Sequence, residues 1–202
     1  MPPRPIVFLG PSLARAEART LVAADFRPPL RKGDLDAAPK GAVIGVVDGV
    51  LDAPLRLPRR EAARAMERGQ RLYGAASTGA LLAARLHNAG FVGLGRVFEL
   101  VARYPAAAED LVTVLYAEGT AFTEPLANGV LTFIDQVRPV DPRRIDEAIS
   151  ALRTIPIARR TQTAIMRCLQ ELAPGSAFRT LNDYKAEDAR LLLRHLDKPT
   201  IA

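Results

Sequence analysis

The chain has 202 residues, 49% of them hydrophobic and 5% aromatic, with no tryptophan. This length and composition exclude a disordered or fibrous chain and call for a globular core built from Ala, Leu, Val and Ile. The net charge is +6, and one cysteine with two histidines can form neither an internal disulfide nor a zinc-finger-type metal site.

The segment PIVFLG reads as a first buried strand, closed by the GPS turn at Gly10, Pro11 and Ser12. Helical spacing follows in SLARAEARTLVAA, with Ser12 as its cap. FRPPLRKGDLDAAPKG has the prolines, glycines and aspartates of a loop. AVIGVVDGVLD is a second strand ending at Asp48 and Gly49. PRREAARAMERG is a short helix, with Pro58 suited to its first turn and Gly69 to its C-cap. QRLYGAAS is a third strand, and TGALLAARLHNAG the helix after it. FVGLGRVFELVARYP reads as a fourth strand or a short helix, and EDLVTVLYAEG as helix passing into strand.

From Leu126 onward the texture changes to a 3.6-residue period. Three or four helices are predicted, with Asp141 and Asp183 as caps. The fold class is therefore α/β, a parallel-type sheet flanked by helices with a helical C-terminal part. The division is a core over 1–125 and a helical region over 126–202 packed on it.

No stretch approaches the roughly 20 apolar residues that span a bilayer. The apolar run in MPPRPIVFLG is too short for a signal peptide. The expectation is a soluble, cytoplasmic protein with no membrane contact. Basic balance suits an acidic partner. The arginine clusters RPPLRK, RLPRRE and ARRTQ have no interleaved aromatics to stack bases, which argues against nucleic acid.

Ligands of parallel sheets bind beyond the carboxyl ends of the strands. Those ends carry Gly10–Ser12, Asp48–Gly49 and Ser77–Gly79. Ser77 in AASTG has two readings. Its hydroxyl can cap the helix that starts at Thr78. Or it can be a nucleophile on a tight strand-to-helix turn flanked by small residues.

A serine nucleophile needs a base. His87 lies ten residues along the same helix, about 15 Å up its axis. His195 falls in an amphipathic C-terminal helix. A Ser–Lys pair remains, and the lysines are Lys32, Lys40, Lys185 and Lys198. Lys32, in the loop before the second strand, is the one expected to reach the sheet edge. GPS lacks the glycine spacing of a nucleotide fingerprint. No cofactor and no metal is therefore expected. Glu61, in the first turn of its helix, is favoured there by the dipole.

Taken in order, IVFLGPSL, RPPLRKGDL, IGVVDGV, PRRE, GAASTGALLAAR, GFVGLGRV and EPLAN resemble the TfuA family over roughly the first 130 residues. The resemblance implies an accessory role in peptide-backbone thioamidation beside YcaO enzymes, which activate a backbone amide with ATP. It implies hydrolysis of the thiocarboxylate on a ThiS-like carrier, release of sulfide, and help for YcaO in engaging its peptide or protein substrate.

The resemblance also implies a Ser–Lys pair with Ser77 as the serine. The lysine falls at Lys32 in RKGD, or in the segment Arg59–Arg60–Glu61, where Arg60 stands in its place. Asp34 and Asp48 would position the lysine. Gly10, Pro11 and Ser12 would meet the carrier tail, with Gly49, Thr78 and Gly79 around the serine. Family members read SMGALRAAE at the serine, where this chain has Thr78, Leu82 and Arg85. The usual DDEVA appears as EDLVT. The alternative reading is an adaptor that docks YcaO and its substrate without chemistry of its own.

Overall fold

The computed structural model of the chain describes residues 3–50, 59–117 and 120–198. Five short strands form one parallel sheet. They are β1 (Ile6–Phe8), β2 (Asp25–Arg27), β3 (Val43–Val46), β4 (Arg71–Gly74) and β5 (Val92–Gly93), in the order β2-β1-β3-β4-β5. β1 and β3 are rich in Val and Ile, as strands covered on both faces must be.

The side chains sort by the two-residue period of a strand. Ile6, Phe8, Ile44, Val46 and Leu72 face one buried cluster; Val7, Leu9, Val47 and Ala75 face another. Helix α1 (Arg15–Leu21) follows β1 and shares the second cluster through Ala18. Helices α2 (Arg59–Glu67) and α3 (Thr78–Leu86) follow β3 and β4 and cover the first.

Beyond β5 come α4 (Arg96–Arg103), α5 (Ala108–Val112) and a small antiparallel hairpin of β6 (Tyr116–Ala117) and β7 (Thr120–Ala121). Four C-terminal helices follow: α6 (Leu126–Gln136), α7 (Pro142–Arg153), α8 (Gln162–Leu172) and α9 (Tyr184–Asp197). Asp141 caps α7 and Asp183 caps α9, their side chains accepting from Arg143 and Ala186 N–H groups. Helices α6, α7 and α8 extend the first cluster. α9 returns to the other face, where Ala186, Ala189, Leu192 and Leu193 pack with the residues of β1 and α1. The last helix thus completes the layer that α1 begins.

Three details differ from the sequence reading. The loop after α1 contains β2, an edge strand whose residues Asp25–Arg27 are mixed in polarity and carry no alternating signal. The segment 91–105 is both a strand, β5, and a helix, α4. Ser12 does not cap α1, which starts after Ala14 with no side-chain cap. The Leu51–Asp52 end of the second predicted strand and Pro58 lie outside the described residues. Among the described residues no helix is long and apolar enough to cross a membrane.

Candidate active site

Strand order 2-1-3-4-5 reverses direction between β1 and β3, and in doubly wound sheets the crevice at that switch point binds ligands. Here the crevice is closed by one carboxylate. Asp48, 3% exposed, lies just past β3. Its Oδ2 accepts the N–H of Gly10 at 2.8 Å and of Ser12 at 3.1 Å. Its Oδ1 accepts the Ser12 hydroxyl at 2.6 Å. The whole GPS turn is therefore tied to the end of the neighbouring strand. Gly10 is required there, because a Cβ would stand 2.5 Å from Pro29 Cγ.

The turn carrying Ser77 joins β4 to α3 and is the strained point of the backbone. Ala76 has φ of +64°, the one described non-glycine residue in that region. The Ser77 N–H donates to Ala75 O at 2.9 Å, closing a three-residue γ-turn of the rare positive-φ kind. Two glycines let α3 press on the sheet. A Cβ on Gly79 would sit 1.8 Å from Val46 O, and one on Gly74 would sit 2.2 Å from Gly79 O. The Gly79 N–H donates to Val47 O, and the Thr78 hydroxyl to Gly49 O at 3.1 Å. The start of α3 is thus anchored on both residues flanking Asp48.

Ser77 stands at the N-cap of α3 but makes no side-chain cap bond. Its hydroxyl has no hydrogen-bond partner among the described residues, although the residue is only 7% exposed. The local motif alone left capping and nucleophilic readings open; the geometry leaves this oxygen uncommitted.

The lysines divide sharply. Lys32 is exposed in the loop between β2 and β3, with no hydrogen bond or ion pair among the described residues. That loop is held by other groups. Leu30 bridges to Gly49, and Asp34 accepts the Arg31 N–H at 2.7 Å. Glu61 is buried and accepts the N–H groups of Gly33, Leu35 and Asp36 at 2.8, 2.7 and 3.1 Å. Arg60, beside it on α2, points outward and is exposed. The structure therefore brings Gly10, Pro11, Ser12, Asp48, Gly49, Ser77, Thr78 and Gly79 to one end of the sheet. Asp34 and Glu61 instead shape the loop that carries Lys32.

The buried lysine is Lys185, in the first turn of α9 and 4% exposed. Its Nζ reaches Val112 O at 3.5 Å. Burial pushes its ammonium down from the ordinary lysine range, against the attraction of Asp48, Asp183 and Glu124. Ala186 and Ala189, just beyond it, share a buried cluster with Ala75 and Ala76 of the Ser77 turn. Sequence reasoning passed over Lys185 as one lysine among several. A signal was present: Lys185, Asp188, Ala189 and Leu192 fall on one helical face, so the lysine points inward with the apolar residues.

Lys185 and Ser12 line a cavity of about 290 Å³ with Thr123, Glu124, Asn128 and Asp183. Burial also raises the Glu124 carboxyl, with the Asp183 charge adding and Asn128 and Lys185 opposing. Pro11 and Ala121 line both this cavity and a neighbouring groove walled by Leu9, Leu13, Pro28 and Pro29.

The family model described as TfuA-like protein matches residues 48–161, from Asp48 through Ser77 and on through α6 and α7 as far as Thr161. The chain belongs to the TfuA-like protein family. A comparison with curated proteins finds no match.

Proposed function

We propose that this protein is a hydrolase accessory to YcaO-dependent peptide-backbone thioamidation, acting on the thiocarboxylate of a ThiS-like carrier and releasing sulfide. Family membership supports the general setting, since TfuA-like proteins are associated with YcaO systems. The observation that carries the chemistry is Ser77: a buried serine with an uncommitted hydroxyl, held on a strained turn at the carboxyl edge of a parallel sheet.

In this reading Ser77 Oγ attacks the thiocarboxylate carbonyl carbon. The C–O bond forms, and the negative charge of the tetrahedral intermediate falls near the N-terminal N–H groups of α3, where the helix dipole favours it. Lys185, rather than the exposed Lys32, serves as the proton acceptor, because burial pushes its ammonium down and so makes it the readier of the two to give up its proton. As the C–S bond breaks, the same proton passes to sulfur, which departs as HS⁻. Water then hydrolyses the acyl-serine ester, giving the carrier carboxylate and restoring the enzyme. No cofactor takes part in these steps. Asp48 keeps the GPS turn closed against β3 and gives the Lys185 ammonium a counter-charge.

The test is conversion of a thiocarboxylated carrier to its carboxylate, followed by mass spectrometry, for the native protein and Ser77→Ala. Conversion by the native protein alone supports the hydrolase; equal conversion by both leaves the adaptor reading, in which the chain docks YcaO and its substrate.

A further inference from the structure

Four cations near the carboxyl edge of the sheet have no partner in the fold. Arg31 and Lys32 lie in the loop between β2 and β3, and Arg59 and Arg60 open α2. All four are exposed, and none has an ion pair or a side-chain hydrogen bond among the described residues. One buried carboxylate brings the two pairs together. Glu61, next to Arg60, accepts the N–H of Gly33, next to Lys32, at 2.8 Å. Its other oxygen accepts the N–H groups of Leu35 and Asp36, so the loop cannot leave α2 without stranding a buried charge. The acids of the loop are already engaged: Asp36 pairs with Arg64 and Arg68, and Asp34 accepts the Arg31 N–H.

This arrangement works against local stability. Like charges held together repel, and arginines in the first turn of a helix face the positive end of its dipole. A local rule broken without compensation inside the fold points to a use outside it. The cluster also adjoins the Ser77 turn. Leu30 bridges to Gly49, whose carbonyl accepts the Thr78 hydroxyl at 3.1 Å. Arg31 therefore stands one residue from the strand end that holds the start of α3.

The cations call for an anionic surface, and their surroundings select its kind. No aromatic side chain lies in 31–36 or 59–64 to stack a base, and the carboxylates of Asp34 and Asp36 repel a phosphate backbone. The large hydrophobic side chains exposed among the described residues are Val92, Leu115, Phe122 and Leu191, all outside these two segments, so the cluster has no apolar anchor for a lipid surface. A protein face rich in Asp and Glu, with donors among them, matches both signs of charge.

We propose that Arg31, Lys32, Arg59 and Arg60 form a docking surface for an acidic face of a protein partner, and that this partner is the sulfur carrier. The partner's identity rests on the hydrolase reading. Docking here holds the carrier beside the turn that bears Ser77. The four side chains touch no reacting atom, so they govern binding and not the chemical step.

The probe is a ThiS-like carrier with its ordinary terminal carboxylate, titrated calorimetrically into the full-length protein over a salt series. The variants are Arg31→Gln with Lys32→Gln, Arg59→Gln with Arg60→Gln, all four together, and, as a control, Arg143→Gln with Arg167→Gln at exposed positions of α7 and α8. Thermal melting checks that each is folded. Native binding is expected to weaken as salt rises. Each site pair is expected to lose affinity a few-fold and the four-site variant about tenfold or more, with its salt dependence flattened. The control pair is expected to bind as the native protein does. With thiocarboxylated carrier, the four-site variant is expected to raise KM for sulfide release and leave kcat unchanged, as loss of uniform binding does. Lys32→Ala, one charge of four, still releases sulfide.

Unaltered carrier affinity in the four-site variant would overturn the proposal, as would an equal loss in the control pair or no carrier binding by the native protein. Tighter binding of a short DNA duplex or of phosphatidylserine vesicles than of carrier, lost in the four-site variant, would also overturn it and assign the patch to nucleic acid or lipid. Carrier binding through the patch without sulfide release would sink the hydrolase reading and spare the docking surface; sulfide release with KM unmoved in the four-site variant would do the reverse.

Discussion

The Ser12 hydroxyl donates to Asp48 Oδ1 at 2.6 Å across 36 positions of sequence, and this bond joins the two strand ends that form the switch point of the sheet. Both residues are buried, and Asp48 receives two more N–H bonds from the same turn. In Asp48→Asn one side-chain end becomes a donor facing donors. The loss is expected to be about 1–3 kcal/mol of stability, as for other buried groups stripped of a partner, read by chemical denaturation. The same change removes a carboxylate that opposes the downward push on Lys185. A base that holds its proton less tightly is neutral at lower pH. The acid limb of the pH–activity profile is therefore expected to move to lower pH in Asp48→Asn. A limb unmoved or shifted upward would separate Asp48 from Lys185.

Ser77 provides a contrast between position and role. It occupies an N-cap site without capping, whereas Asp141 caps α7 by accepting the Arg143 N–H at 2.8 Å. Asp141→Ala is expected to cost about 1 kcal/mol. Ser77→Ala is expected to stay within about 0.5 kcal/mol of the native protein. Paired denaturation curves of the two variants check this. A large loss for Ser77→Ala would make the serine a structural residue.

Gly79 fixes how closely α3 approaches the sheet. A Cβ there would sit 1.8 Å from Val46 O, and the backbone cannot withdraw without breaking the Gly79 N–H bond to Val47 O. Gly79→Ala is expected to cost about 3 kcal/mol or more, at the upper end of overpacking penalties. Differential scanning calorimetry would show this as a fall in Tm of roughly 10 °C. An unchanged Tm would mean that α3 has room to move.

Much of this architecture could be read from the sequence, for local reasons. The β-branched runs of β1 and β3, and the helical periods between strands, specify a parallel sheet whose carboxyl edge carries Gly10–Ser12, Asp48 and Ser77. Asp141 and Asp183 were readable as caps because capping acts within three residues. What could not be read depends on distant partners. Ser12 looks like a cap until Asp48 is brought beside it. Glu61 looks like a dipole charge until the loop at Gly33–Asp36 folds onto it. Lys185 shares a helical face with Ala189 and Leu192, a local sign of burial, but which surface that face meets depends on α9 crossing back to the face of α1, while Lys32 stays exposed.

Two carboxylates carry opposite pH signatures. Asp188 on α9 accepts the N–H groups of Arg96 and Val97 at 3.0 and 2.7 Å, yet burial outweighs these bonds and lifts its carboxyl to about 6. A carboxyl raised on folding stabilises the protein below its unfolded value, about 4, and that contribution fades as pH rises through 6. Asp135 is held well below the carboxylate range, first by Arg96, then by Tyr184 and Arg138. Its contribution is present above about pH 4 and is lost in strong acid. Carboxyl-carbon NMR titration is expected to find Asp188 turning over near 6 and Asp135 ionised throughout the mildly acidic range. In Asp188→Asn the stability change between pH 4 and 7 is expected to shrink. An Asp188 midpoint below 4 would show that the two N–H bonds outweigh burial.

The central claim is that Ser77 and Lys185 act together on a carrier thiocarboxylate, and sulfide release is its most direct measure. A thiocarboxylated ThiS-like carrier is mixed with the native protein, Ser77→Ala, Lys185→Met, Lys185→Arg and Lys32→Ala, each checked by thermal melting. Release is expected from the native protein and from Lys32→Ala. It is expected to be abolished in the Ser77 variant and in both Lys185 variants, since methionine carries no base and arginine stays protonated. Full release from Ser77→Ala, or from a folded Lys185→Met, would contradict the claim.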